Sequence, residues 1–214
     1  VIGDLMTGKN PTVGLAAHAG QTDVRITAKA ATAAEAEALI APVEAELRQR
    51  LGVAIYGLGK ETVAEVVGRL LAEQGLKLAV IDTLTRGQLG RELAEAGFEQ
   101  LIASDLHPVS LAEAGQSLGL NNPLEGGSVD GRSIAAQLAQ AVAPEHGLGL
   151  ALAGPFADKS TFIAVHGPGE MRLVELGRIY RREEDYVRRW LVIQGLDWVR
   201  RALLGQLTSP VDWR

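Results

Sequence analysis

Leu78-Ala79-Val80-Ile81-Asp82-Thr83-Leu84-Thr85-Arg86-Gly87 is the stretch on which the fold turns. A short apolar run ends in polar residues and a glycine, and a helical pattern follows. Such a strand–turn–helix corner is where an α/β domain keeps its chemistry. Side chains at the carboxyl end of the strand reach a crevice, and the next helix offers free N–H groups. Working outward, Glu61 to Gln74 puts Val63, Val66, Val67, Leu70 and Leu71 on one helical face, with Gly75 as C-cap. A strand at 77–81 follows, then a helix from Gly87 to Ala96 and a strand at 98–103. Gly131 to Val142 reads as a helix with Ile134, Ala135, Leu138 and Val142 inward. Leu148 to Leu152 reads as a strand ending at Ala153-Gly154-Pro155, with Thr161 to Val165 as its partner. The turn Gly167-Pro168-Gly169 joins that partner to a strand at 171–176. Glu184 to Leu204 is one long helix, apolar enough to be largely buried. Helices between strands, with a late hairpin, predict the α/β class: a three-layer α/β/α domain on a mixed sheet over 52–207.

A small α+β domain over 1–51 is predicted ahead of it, and 208–214 reads as a tail. The first residues form a glycine-rich loop (Gly3, Gly8, Gly14, Gly20), followed by a strand in which Val24, Ile26 and Ala28 oppose Arg25, Thr27 and Lys29. Thr32 caps a helix, with Glu35 completing a capping box, and Ala36, Leu39, Ile40, Val43 and Leu47 form its inward face. Pro42 predicts a kink or two short helices. Gly57-Leu58-Gly59-Lys60 lacks the spacing and the Lys-Ser/Thr pair of a phosphate loop and reads as a linker turn.

The 214 residues are 47% hydrophobic with only 4% aromatic, so the core rests on Ala, Leu and Val. A net charge of −5 opposes general nucleic-acid binding. Arg178, Arg181, Arg182, Arg188, Arg189, Arg200 and Arg201 read as a solvated face, with Glu184–Arg188 and Asp185–Arg189 spaced for pairing. The absence of cysteine excludes disulfides and thiolate chemistry and fits a cytoplasmic protein. No apolar run reaches the roughly 20 residues of a membrane span. His18, His107, His146 and His166 lack the spacing of a metal site, and no metal or cofactor is expected.

A series of short matches resembles the CinA family. Asn10-Pro11-Thr12-Val13, Glu35-Ala36-Glu37-Ala38-Leu39-Ile40 and Tyr56-Gly57 resemble its small middle domain and the exit from it. Gly127-Ser128-Val129, Ala153-Gly154-Pro155 and the final helix follow in the order of the C-terminal nicotinamide-nucleotide amidase domain. The resemblance covers nearly the whole chain and lacks only the larger, molybdopterin-cofactor-domain-like part of full CinA proteins. It implies a homodimer whose amidase domain converts nicotinamide mononucleotide to nicotinic acid mononucleotide and ammonia. The family corner Ala-Glu-Ser-Cys-Thr-Gly-Gly falls with its Glu on Asp82, its nucleophilic Ser on Thr83, its Cys on Leu84 and its Thr on Thr85. Its two glycines fall on Arg86 and Gly87. The segment Tyr-Ser-Asn-x-x-Lys, whose lysine activates the serine, falls on the stretch ending Ser104-Asp105-Leu106-His107-Pro108-Val109, with the lysine position on Val109. The turn Thr-Gly-Ile-Ala-Gly-Pro becomes Leu150-Ala151-Leu152-Ala153-Gly154-Pro155, and Gly-Asp-Arg becomes Arg182-Glu183-Glu184.

These departures carry chemical weight. A hydroxyl is inert at neutral pH without a base in reach, and valine supplies none. The β-methyl of Thr83 restricts χ1 and crowds the approach. Arg86 stands where a glycine would let backbone approach a phosphate. Asp105 or His107 is the alternative base. The resemblance implies a nucleotide-sized crevice near Asp82, Thr83, Ser104 and Gly154, with Thr85, Arg86, Gly87 and Asp105 as further binding positions. Three classes follow: a nucleotide-binding or regulatory module with lost or greatly reduced deamidase activity, a working but rewired amidohydrolase acting on nicotinamide mononucleotide or a related amide, and a structural dimerisation module.

Overall fold

Alternation in Gly147-Leu148-Gly149-Leu150-Ala151-Leu152-Ala153 gives one strand a face of small residues and a face of leucines, and both faces are buried. The computed structural model describes residues 1–120, 130–167, 170–176 and 183–206. It divides into two compact units, Val1–Tyr56 and a larger one from Gly57 onward.

In the first unit, β1 (Thr12–Ala17) pairs antiparallel with β2 (Thr22–Thr27), and α1 (Ala33–Leu51) follows. The glycine-rich start reads as loop in the sequence, but Thr12–Ala17 is a strand. Its two glycine-flanked apolar positions, Val13 and Leu15, find partners in Ile26 and Val24. Thr32 caps α1 by accepting from Glu35 N–H at 3.2 Å, and Gly52 ends it. The helix runs unbroken through Pro42, which lies on its exposed side. Of the expected inward face only Leu47 is buried, and Leu39 is exposed. Among the described residues of this unit only Val13 and Leu47 are buried, as a unit of this size has little core to offer. Tyr56 belongs to it, donating to Gln21 Oε1 at 3.1 Å.

The larger unit begins with α2 (Val63–Gln74). Thr62 and Glu65 form a reciprocal capping box at its start, and Gly75 ends it in the left-handed conformation. Then follow β3 (Lys77–Asp82), α3 (Gln88–Glu95), β4 (Ile102–Leu106), α4 (Leu111–Ser117), α5 (Gly131–Val142), β5 (Gly147–Ala153), β6 (Thr161–Gly167), β7 (Glu170–Leu176) and α6 (Glu184–Leu203). The sheet order is β4-β3-β5-β6-β7, parallel among β4, β3 and β5 and antiparallel from β5 to β7.

The expected strand at 98–103 is corrected: Glu99–Leu101 is a 3-10 turn and β4 starts at Ile102. Phe98 is apolar because its ring packs on Gly68 of α2, not because it belongs to a strand. α4 is a further helix that the sequence pattern does not announce, capped by Ser110 through Glu113 N–H at 3.2 Å. Leu70 is only half-buried. The Gly127-Ser128-Val129 match, the 168–169 turn, Arg178, Arg181, Arg182 and the 208–214 tail lie outside the described residues.

Two helical layers enclose the sheet. On one face the small residues Ala79, Ala151, Ala153 and Ala164 meet Ile134, Ala135, Leu138 and Ala139 of α5. A Cβ on Gly149 would overlap the Ala139 carbonyl oxygen, so this face admits the helix backbone itself. On the other face Leu150 and Leu152 pack against Gly195 of α6, with Leu89 of α3 beside them. Strand β5 sits between partners on both edges and helices on both faces, which is why it is apolar throughout.

Candidate functional site

The chain leaves β3 toward α3 on the α6 face, and leaves β4 toward α4 on the α5 face. The carboxyl ends of β3 and β4 are therefore a switch point, where an open α/β sheet forms its ligand crevice. A cleft of about 710 Å³ opens there, lined by Asp82, Thr83, Leu84 and Arg86 after β3, His107, Pro108 and Val109 after β4, Pro155 after β5, and Glu184, Val187, Arg188 and Leu191 of α6. Its volume lies in the range of small-molecule sites.

Asp82 is buried at the end of β3 and is turned inward. Its Oδ1 accepts from Leu84 N–H and Thr85 N–H, both at 2.8 Å, and its Oδ2 accepts from the Thr85 hydroxyl. This carboxylate organises the corner, and Thr85 is fully buried beneath it. The Thr83 hydroxyl donates to Gly154 O at 2.9 Å, with Leu152 O at 3.3 Å as a longer acceptor, and accepts from Gly154 N–H at 3.2 Å. Its proton and a lone pair are thus engaged by the end of β5. Gly154 has φ of 148°, which a side chain rarely adopts, and a Cβ there would press on Thr161 Oγ1. Arg86 takes a left-handed backbone conformation, φ 58°, and Arg91 Nη1 donates to its carbonyl at 3.0 Å. Gly87 lies against the His107 ring, and Gly90 lies against the Asp105 carboxylate.

Asp105 and His107 form the second polar feature. His107 Nε2 stands 2.9 Å from Asp105 Oδ1. The approach is oblique, and that buried oxygen has no well-aligned hydrogen-bond donor. Burial raises the Asp105 carboxyl above its ordinary pKa. His107 opposes the rise most strongly, Arg91 also opposes it, and Asp82 adds to it. Val109 is 91% exposed, and its N–H donates to Glu113 Oε2 at 2.8 Å in the cap of α4.

The structure therefore brings Asp82, Thr83, Arg86 and Val109 to one crevice, with Gly154 bonded to Thr83 and Asp105 behind His107. Ser104 lies two residues before the end of β4, paired with Ala79 on the α5 face, and is not among the lining residues. Sequence reasoning missed Arg188 and Glu184 as site residues. Their helical spacing signals a surface pair, and only the packing of α6 against β5, β6 and α3 brings them to the cleft. Among the described residues no group of three or more His, Asp or Glu is placed to hold a metal ion, and no helix is long and apolar enough to cross a membrane.

Sheet order, helical layers and the cleft define an α/β protein of mixed parallel–antiparallel sheet with a small-molecule-sized crevice at its switch point. The family model "Damage-inducible protein CinA KH domain" matches residues 1–57, close to the extent of the first unit. A CinA-like protein of Gloeobacter violaceus is 33% identical over 220 residues, covering 94% of this chain and 50% of the relative. One of Frankia casuarinae is 35% identical over 218 residues, covering 94% and 49%. The chain thus spans about half the length of the curated relatives it matches. In fold it is similar to a CinA superfamily protein of Escherichia coli, with TM-score 0.54 and 18% identity over 74% of this chain and 98% of that one. A competence or damage-inducible protein of Enterobacter asburiae gives TM-score 0.55 and 19% identity over 67% and 99%. The chain belongs to the CinA family.

Proposed function

We propose that the larger unit is a nicotinamide-mononucleotide amidase-type domain whose deamidase activity is lost or greatly reduced and which serves as a cytoplasmic nucleotide-binding or regulatory module. The observation that carries this reading is the engagement of Thr83. Its hydroxyl, at the position of the family nucleophile, spends its proton on Gly154 O at 2.9 Å rather than on a base. Removal of that proton is the first requirement of a hydroxyl nucleophile. The position of the family lysine is the aliphatic, solvent-exposed Val109. His107, the alternative base, turns its Nε2 to Asp105, while the Thr83 hydroxyl is bonded to backbone groups of Leu152 and Gly154. What remains is a cleft of about 710 Å³ with apolar walls at Leu84, Val187 and Leu191 and two guanidinium groups, which suits a mononucleotide.

The test is to incubate the protein with nicotinamide mononucleotide, measure released ammonia, and titrate binding in the same buffer. Saturable binding without ammonia is the expected result. Turnover abolished by Thr83→Ala overturns the reading in favour of a rewired amidohydrolase. Absence of both binding and turnover overturns it in favour of a structural module. Assembly as a homodimer belongs to the same proposal, and sedimentation velocity showing only monomer across a wide concentration range would remove that part.

A further inference from the structure

We propose that Arg86 and Arg188 form a phosphate-binding subsite of the crevice and that Glu184 occupies it as a built-in competitor. The proposal rests on the nucleotide reading above and adds which groups hold the phosphate and what opposes it. Glu184 Oε1 is shared by two cations, at 3.1 Å from Arg86 Nη2 and 2.6 Å from Arg188 Nη2. One arginine comes from the β3–α3 corner and the other from α6, and all three side chains line the cleft. Two guanidinium groups converging on one oxygen atom repel each other unless an anion lies between them.

The two arginines are set differently from the carboxylate. Arg188 is 19% exposed, and its Nε is buried without a hydrogen-bond partner, so donor capacity is left over after Glu184 and Asp185 have been served. Arg86 is placed by a strained left-handed backbone whose carbonyl is held by Arg91. A residue that is not glycine in that conformation is found where surrounding structure or function demands it. Glu184, by contrast, is 72% exposed on the first turn of α6 and is held by ion pairs alone. Its pair with Arg86 is exposed on both sides, and such pairs are weak and readily exchanged. A phosphomonoester dianion brings three terminal oxygens and a second negative charge, and guanidinium forks bind such groups two oxygens at a time. It satisfies both arginines better than one carboxylate oxygen does. Swinging Glu184 into solvent vacates the place.

The test compares the full chain with Glu184→Gln and Arg188→Gln in calorimetric titrations. The probes are inorganic phosphate, nicotinamide mononucleotide and the matching riboside, which lacks the phosphate. Glu184→Gln is expected to tighten phosphate and mononucleotide about fivefold, because it removes the competing carboxylate and the two weak ion pairs it makes. Arg188→Gln is expected to weaken the mononucleotide at least about tenfold through loss of a charge-assisted contact. Riboside affinity stays unchanged in both. Mononucleotide that binds with the same affinity to all three proteins overturns the subsite while the nucleotide reading stands. Phosphate tightened by Glu184→Gln, with no binding of mononucleotide or riboside, upholds the subsite and overturns the nucleotide reading. Glu184 is exposed, so that variant folds even if the half-buried Arg188 site does not tolerate glutamine.

Discussion

Replacing Thr83 by valine keeps the β-branched shape and removes only the hydroxyl, so it isolates what that oxygen does. Two hydrogen bonds are lost, to Gly154 O at 2.9 Å and from Gly154 N–H at 3.2 Å. The longer contact to Leu152 O shares the same proton and adds little. At about 1 kcal/mol per bond the loss is about 2 kcal/mol, and both Gly154 groups are left unpaired at a half-buried corner. In a unit of this size each kcal/mol lowers Tm by about 3 °C, so a fall of about 6 °C is expected. Tryptophan fluorescence during heating reads it, because Trp190 and Trp198 both lie on α6 of the same unit. Thr83→Ser retains the hydroxyl and should fall far less. The reasoning is refuted if Thr83→Val melts within about 1 °C of the parent. It is refuted more sharply if that unchanged melt comes with lost ammonia release, the behaviour of a nucleophile rather than a brace.

Asp105→Asn tests the buried carboxyl. A carboxyl whose folded pKa is raised stabilises the fold below its unfolded pKa and loses that contribution as pH rises through the folded value. Asparagine should therefore be more stable than aspartate at pH 7 by chemical denaturation, with the advantage vanishing toward pH 4; a constant difference across that range would contradict the assignment. Gly149→Ala drives a methyl into the Ala139 backbone carbonyl, whereas Gly68→Ala meets the Phe98 ring, which can rotate. Overpacking costs about 1–3 kcal/mol, so urea unfolding should place Gly149→Ala at or beyond the upper figure and Gly68→Ala lower; the reverse order would be a failure. Arg86→Gly relieves a left-handed conformation that costs other residues about 1–2 kcal/mol. It should hold or raise Tm while weakening mononucleotide binding, and a lowered Tm would mean that the side chain matters more to the fold than its backbone conformation does.

Much of the fold was legible because it is periodic. The face and C-cap of α2, the strand at β3, α5 and the long α6 all follow from apolar spacing and, at Gly75, from a capping residue, whereas the Thr62–Glu65 capping box is legible only in the structure. The failures occurred where apolar residues serve a neighbour rather than their own element. Phe98 packs on Gly68 and mimics a strand start. Val13 and Leu15 sit among glycines, and their strand is defined only by its pairing with Ile26 and Val24. The helical stripe of α1 reads as an inward face, yet only Leu47 of it is buried, since periodicity reports amphipathicity without supplying a partner.

The candidate site divides along the same line. The sequence by itself determined that a polar corner follows β3 and that thiolate chemistry is absent, and the family resemblance puts threonine and valine where it expects a nucleophile and a base. Those are properties of residue type and local order. Only the tertiary structure decided that the Thr83 hydroxyl is bound by Gly154, that Asp82 is spent on its own corner, that Ser104 lies outside the crevice, and that Arg188 and Glu184 enter it. The physical reason is range. Local periodicity records which face of an element is apolar, whereas these contacts follow from β5 lying beside β3 and from α6 packing across the leucine face of the sheet.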